Sequence, residues 1–290
     1  MTRHAPALGW SMLTGAAFVA SVGPLPVQLG FAILAIGVVG MMHGASDLAI
    51  VAPSHRRSFV ALYLAVGITC LVWWAADPAI ALAAFLIASA VHFGMEDAPD
   101  GSVVERIARG TSLIATPAAL HAPALSSILA LAGLSQHALP LTVGEMQVVG
   151  GLSAAGLLIL ALRRRDRRLL AGTLALLVLP PLVGFSLGFL ILHALPQTSE
   201  RRVQLGCATL AAYLRATAPV LLAALIAFAA AAIVLLDRDR SGVRSLFAAI
   251  AALAIPHLLV TPWFSALRPV PSPLTGRRMA TDALPLPKSG

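Results

Sequence analysis

The sequence predicts an all-α fold, a polytopic membrane helical bundle of about eight spans (roughly 7–9) with proline-broken helices. Of its 290 residues, 59% are hydrophobic and only 11% are charged, and the mean hydropathy is +0.89. A soluble domain carries roughly 25% charged residues, so lipid is the expected solvent of this chain. The apolar runs are continuous and do not alternate, which excludes a membrane β-barrel.

The apolar stretches follow one another along the chain with short polar breaks. They cover residues 7–22, 27–51, 59–76, 78–94, 107–134, 141–162, 169–195, 207–236 and 243–264. The first is interpreted as a span, because its pattern for signal-peptide cleavage is poor. Proline breaks at residues 117 and 180 can each change the number of crossings. We expect a single transmembrane helical domain over residues 1–267 and a flexible polar tail over residues 268–290.

The arginines cluster in the short loops, which is the usual signal for the cytoplasmic side of a membrane. With the N-terminus inside and simple alternation, this side receives the clusters at residues 56–57, 106–109, 163–168 and 238–244. Arg201 and Arg202 then fall outside. The pattern predicts a multi-pass protein of the cell (inner or plasma) membrane, in contact with lipid. No basic face carries aromatic platforms, so no nucleic-acid partner is expected.

Five of the eight histidines lie within or at the ends of apolar stretches: His43, His92, His121, His193 and His257. An ionisable side chain within a span is costly and tends to face the bundle interior with a function. A metal is what best gathers several neutral imidazoles in a dry place. The pattern therefore predicts a metal site, for which Fe(II), Zn(II) and Cu all remain open. His121, at a proline-marked break, is interpreted as structural.

Most of these histidines have polar or proline neighbours at short spacing. The pairs are His43 with Asp47, His92 with Glu96 and Asp97, His193 with Gln197, and His257 after Pro256. A spacing of four places two side chains on one helical face, where the second can be a ligand or can orient an imidazole. Helix capping is the alternative for the pair after His92. It suits Asp47 poorly, because apolar residues follow it.

A metal at membrane depth restricts the substrate to molecules that enter from lipid, such as sterols, quinones or carotenoids. The residues alone thus predict a metal-dependent membrane enzyme with a lipophilic substrate. Two alternatives remain open. One is a binding protein without chemistry, and the other is a transporter that relays protons or metal ions. The lack of an internal repeat counts against the transporter.

Taken in order, the motifs MMHGASDLAI, VHFGMED, GFLILHALPQ and AIPHLLVT resemble the Brp/Blh family of bacterial and archaeal membrane proteins. The resemblance extends from about residue 36 to residue 262. Members are β-carotene 15,15′-dioxygenases, so it implies Fe(II)-dependent cleavage of the central double bond of β-carotene with O₂ into two retinal molecules. It also implies a functional link to a rhodopsin.

By motif match, the resemblance implies three catalytic metal ligands and a set of orienting or substrate-lining residues. The ligands are His43, His92 and His193, and the others are Asp47, Asp97, Gln197 and His257. The family usually has a second histidine where this chain has Gln197. Three alternatives follow: Gln197 or water takes the fourth place, His257 substitutes, or activity is lost or changed and a carotenoid- or retinal-binding accessory protein remains.

The depth of the histidines sets a geometric condition on any shared metal. His43 and His92 lie towards the C-terminal ends of their stretches, on the cytoplasmic side under simple alternation. His193 would then end a span that runs the other way. We therefore expect one of the proline breaks to act as a re-entrant turn or to add a crossing.

Overall fold

The structure is a computed structural model, and it describes residues 5–236 and 241–265. These residues are helical with short connections, and no strand occurs among them. Eight helical segments of the described part are long and apolar enough to cross a membrane. The predicted all-α polytopic bundle is therefore confirmed. The tail predicted over residues 268–290 lies outside the described residues.

The helices follow the apolar stretches closely. Their bounds are α1 (Ala5–Ser21), α2 (Leu25–Ala32), α3 (Met41–Gly44), α4 (Asp47–Ile50), α5 (Arg56–Ala76), α6 (Pro78–Asp97), α7 (Val103–Ala132), α8 (Leu139–Arg164), α9 (Arg167–Val178), α10 (Pro181–Phe189), α11 (Leu195–Gln204), α12 (Leu210–Leu236) and α13 (Val243–Ser265). Two π-helical segments, Ile33–Gly40 and Leu190–Ala194, join α2 to α3 and α10 to α11. The expected first span corresponds to α1, whose 17 residues leave it outside the eight spanning segments.

Helices α6, α7 and α8 pack closely, and an ion-pair network joins α7 to α8 at one end. A Cβ atom on Gly110 would lie 1.9 Å from the carbonyl oxygen of Ala90, so only glycine permits this approach of α7 to α6. At the contact between α7 and α8, the Glu105 carboxylate binds Arg109 of its own helix at 2.9 Å and Arg164 of α8 at 2.8 Å. These contacts fix the antiparallel order of the three helices.

The proline-containing α7 is one bent span rather than two half-helices. Its bend lies at His121, whose φ of −125° and ψ of 34° leave the helical region. The His121 Nε2–H donates to the carbonyl oxygen of Val178 at 3.0 Å, at the end of α9, where that carbonyl has no partner within the helix. His121 thus has the structural position expected from the sequence.

The apolar stretch at residues 169–195 is not a single span, because its first half turns back within the bundle. Helix α9 has 12 residues, or about 18 Å, whereas a bilayer core is about 30 Å thick. A Cβ atom on Gly172 would lie 2.4 Å from the Leu192 side chain, and one on Gly188 would lie 2.6 Å from the Leu176 side chain. Both pairs are centred on the same residue, Leu182, directly after the Pro180–Pro181 turn, so the chain forms an antiparallel hairpin of α9 with α10 and the π-helical segment that follows it. The spanning segment is Pro181–Gln204.

This re-entrant half-helix changes the sidedness that simple alternation predicts. It brings Arg201 and Arg202 to the same end of the bundle as the basic loops at residues 56–57, 106–109 and 163–168. The loop after α12 moves to the other end, since a Cβ atom on Gly242 would lie 3.9 Å from Leu29 of α2, near the start of the spanning segment Leu25–Ile50. The expectation that residues 238–244 share the side of the other clusters is wrong for its described part. The end that carries Arg201 is called the basic end below.

Candidate metal centre

Four histidine rings meet near the basic end of the bundle. They are His43 of α3, His193 of the second π-helical segment, His92 of α6 and His257 of α13. Going round the group, the ring centroids lie 5.1 Å (His43–His193), 5.2 Å (His193–His92), 5.4 Å (His92–His257) and 5.3 Å (His257–His43) apart. The rings thus form a closed square, called the histidine square below. His193 can join it because the half-helix returns its segment to the basic end.

Asp97 orients the ring of His193. The Nδ1 atom of His193 lies 2.9 Å from Oδ1 of Asp97, and the side chains are 1% and 3% exposed. Since a carboxylate accepts, the Nδ1–H of His193 donates, and Nε2 keeps its lone pair. That Nε2 is buried and has no hydrogen-bond partner among the described residues. The sequence alternative of a helix cap for Asp97 does not apply, because its carboxylate reaches across to another segment.

Asp47 orients the ring of His257 in the same way. The Nδ1 atom of His257 lies 2.5 Å from Oδ2 of Asp47, and the hydroxyl of Thr261 donates to the same oxygen at 2.8 Å. The Nε2 of His257 is again buried and without a partner in the described part. Thr261 was not among the residues predicted from the sequence, although its spacing of four residues from His257 is a signal that could have indicated it.

The backbone orients the ring of His43. Its Nδ1 lies 2.5 Å from the carbonyl oxygen of Gly40, the last residue of the first π-helical segment. The wider π-helix is often found at functional sites. A Cβ atom on Gly40 would lie 2.7 Å from the ring of Phe189, so glycine is required. The hydroxyl of Tyr213 donates to the carbonyl of Met42 at 2.6 Å and fixes α3 to α12. Neither Gly40 nor Tyr213 carried a sequence signal that singled it out.

The carboxylate of Glu96 lies farther from His92 than Asp97 lies from His193 or Asp47 lies from His257. The Nε2 of His92 lies 3.5 Å from Oε2 of Glu96, one turn further along α6. One potential donor atom each from His92, Glu96 and His193 lie within 4.8 Å of one another. This triad and the histidine square share two residues but are not identical. The triad is defined by distances between possible donor atoms, whereas the square is defined by distances between ring centroids.

Gln197 makes no hydrogen bond with any of the four histidines among the described residues. It lies one turn beyond His193 and is half-buried. His257 closes the square in its place. Of the residues that the sequence singled out, the structure thus brings together His43, His92, His193, His257, Asp47 and Asp97.

The histidines border a large apolar cavity of about 630 Å³. Most of the lining comes from aliphatic and aromatic side chains of α5, α6, α7, α12 and α13, with Phe185 and Phe189 from α10. Its polar side chains, besides the four histidines, are Asp47, Tyr63 and Ser89. A volume of this size is typical of small-molecule sites. The cavity can therefore hold an apolar molecule next to the imidazoles.

Most of the chain matches the model of a known protein family. Residues 34–265 match a family model described as beta-carotene 15,15′-dioxygenase. The chain belongs to this family. No curated protein and no solved structure matches it. The resemblance drawn from the motifs is confirmed, and membership of the beta-carotene 15,15′-dioxygenase family supports a carotenoid oxygenase-type enzyme with a carotenoid substrate.

The residues of this dioxygenase-family site fit a metal ion. Imidazole is a good ligand for iron, zinc and copper, and metal-binding histidines usually donate their other ring N–H to a carboxylate or a carbonyl. Asp97, Asp47 and the Gly40 carbonyl accept such bonds. The two partnerless Nε2 atoms of His193 and His257 would be costly to bury without a further contact. A cation between the rings would supply that contact.

Proposed function

We propose that this chain is an Fe(II)-dependent dioxygenase that cleaves the central 15,15′ double bond of β-carotene with O₂ to give two retinal molecules. The observation that carries the proposal is the square of four buried or partly buried imidazoles beside a large apolar cavity. Family membership supports the carotenoid substrate. In the net reaction the O–O bond and one C=C bond break and two C=O bonds form, so no further reductant is needed.

We propose His43, His92, His193 and His257 as the iron ligands. The first three are those implied by the family motifs, and His257 takes the place that Gln197 leaves open. The closed set of ring distances supports this assignment, since each histidine has two others as neighbours. When bound, iron(II) supplies a redox-active centre for the reaction of O₂ with an alkene.

The carboxylates Asp97 and Asp47 keep two of the imidazoles in one protonation state and one orientation. Each accepts the Nδ1–H of its histidine, so the Nε2 lone pair stays available for the metal. Both carboxylates are buried, and their negative charges offset the positive charge of a bound ion in a dry place. The Gly40 carbonyl does the same for His43 without adding a charge.

The cavity walls exclude water and position the polyene. Aromatic rings reach the imidazoles directly, with Phe93 at 4.8 Å and Phe189 at 5.5 Å from the ring centroid of His193. A hydrocarbon substrate offers no polar group to bind, so the shape of an apolar cavity must set which double bond lies beside the metal.

We propose that the protein acts in the inner or plasma membrane and takes β-carotene from the lipid phase. The arginine loops favour a cytoplasmic location for the basic end, and therefore for the histidine square. Retinal leaving this site is the chromophore that a rhodopsin needs, which supports the functional link to such a protein.

Expression in a bacterial host that accumulates β-carotene tests the proposal. Wild type is expected to bleach the cells and form retinal, and His137→Ala, a change in an exposed loop, is expected to do the same. His43→Ala is expected to leave the cells coloured. Retained colour in the wild type, with the protein present in the membrane, would instead favour a carotenoid- or retinal-binding protein without chemistry, the alternative that Gln197 raises.

A further inference from the structure

We infer that Glu96 is a fifth donor to the metal, at the edge of the histidine square. The inference rests on the proposed function, because it concerns the same metal centre. Glu96 ends α6 together with Asp97 and follows His92 by one turn. The family motifs assign no role to Glu96.

The distance between Glu96 and His92 is that of two donors to one ion. Their Oε2 and Nε2 atoms are 3.5 Å apart. Two atoms that each bind an ion at roughly 2.0–2.2 Å lie roughly 3.0–3.5 Å apart when they occupy neighbouring positions. Asp97 and Asp47, which accept hydrogen bonds, lie nearer to their histidines, at 2.9 Å and 2.5 Å. Glu96 thus differs in geometry from the carboxylates that orient imidazoles.

The same contact is too long to satisfy either atom by a hydrogen bond, since 3.5 Å exceeds the range of a good N–H···O bond. In the tautomer with the proton on Nδ1, the imidazole Nε2 and the carboxylate oxygen both present lone pairs, and a cation between them would give both a partner. No lysine or arginine in the described part of the chain approaches the Glu96 carboxylate within 4.0 Å. The donor atoms of His92, Glu96 and His193 already lie within 4.8 Å of one another. A bound ion would give all three a partner.

A carboxylate at this position changes the centre in two ways. It adds one negative charge directly to an ion whose four ring donors are neutral, which strengthens binding of a divalent cation. It also takes one of the positions that the histidines leave open. The Glu96 side chain is 28% exposed, against 3% for Asp97, so it lies on the side from which an ion arriving from water reaches the square.

Cobalt(II) binding to the full-length, metal-free protein in detergent tests this inference. Glu96→Gln keeps the shape of the side chain and removes its charge. It is expected to weaken Co(II) binding at least about tenfold, the lower end of the loss seen when groups around a metal are removed. It is also expected to change the visible absorption of the bound ion. Glu200→Gln, at an exposed glutamate of α11, is the matched control and is expected to change neither quantity.

The outcomes separate this inference from the proposed function. Equal affinity and an identical spectrum in wild type and Glu96→Gln would overturn the role of Glu96 and leave the four-histidine centre standing. No Co(II) binding by the wild type would overturn the centre itself, and the role of Glu96 with it. Thermal unfolding of the metal-free proteins checks that the variant is folded. Where Glu96→Gln is not, Glu96→Ala is measured with the same expected loss.

Discussion

The Nδ1 atom of His257 lies 2.5 Å from Oδ2 of Asp47, although 210 positions separate the two residues in the chain. Neither side chain is more than 9% exposed. A buried carboxylate is costly unless it is paired and hydrogen-bonded. The contact therefore explains why an aspartate occurs within an apolar stretch. It also joins α13 to the start of α4.

Asp47→Asn is expected to weaken iron binding roughly 10–100-fold, because an amide no longer holds the imidazole of His257 with a charged acceptor. The measurement is iron dissociation against a competing chelator. Asp100→Asn, in the exposed loop after α6, is the control and is expected to bind iron as the wild type does. Equal affinity of the Asp47→Asn protein would show that His257 does not depend on this carboxylate for its position.

The re-entrant half-helix makes a prediction about sidedness. In a variant without the native cysteines, single cysteines replacing the exposed residues Asp100 and Gln204 are expected to react with an impermeant reagent from the same face of the membrane. A cysteine replacing Gln136, in the exposed loop between α7 and α8, is expected to react from the other face. Labelling of positions 100 and 204 from opposite faces would mean that residues 167–204 cross the membrane once, without the turn back at Pro180–Pro181.

Gly172→Ala is expected to destabilise the protein by about 1–3 kcal/mol, the usual cost of overpacking. Its Cβ atom would lie 2.4 Å from the Leu192 side chain, next to His193, and would press on the contact between α9 and the second π-helical segment. Gly156→Ala is the matched control, since a Cβ atom there meets nothing within 4 Å. The measurement is denaturant unfolding in mixed micelles. Equal free energies of unfolding for the two variants would contradict the packing of the hairpin.

The spans themselves could be predicted from the sequence, because continuous apolar runs are a direct consequence of lipid as solvent. The stretch expected at residues 78–94, for example, corresponds to α6 (Pro78–Asp97). The Pro180–Pro181 pair predicted a break in the helix, but the pair alone does not determine whether the chain turns back there. That outcome depends on glycine–leucine contacts between α9 and α10, which no local pattern reports.

The sequence predicted most of the residues of the site but not the contacts between them. Membrane-depth histidines with polar neighbours indicated His43, His92 and His193, and also indicated Asp47 and Asp97. The sequence placed His257 among orienting or substrate-lining residues, whereas the ring distances favour an equal place in the histidine square. A contact between segments 210 positions apart is a tertiary property, so helix periodicity could not reveal it. The π-helical segments beside His43 and His193 had no local signal either.

Iron content of the protein purified without oxygen tests the central claim most directly, with His257→Ala measured beside His121→Ala. We expect about one iron per chain in the wild type and in His121→Ala, because the His121 ring at the bend of α7 bonds the Val178 carbonyl and lies outside the histidine square. We expect a loss of most of the iron in His257→Ala. Full iron content in His257→Ala, or none in the wild type, would contradict a metal centre built from the four histidines.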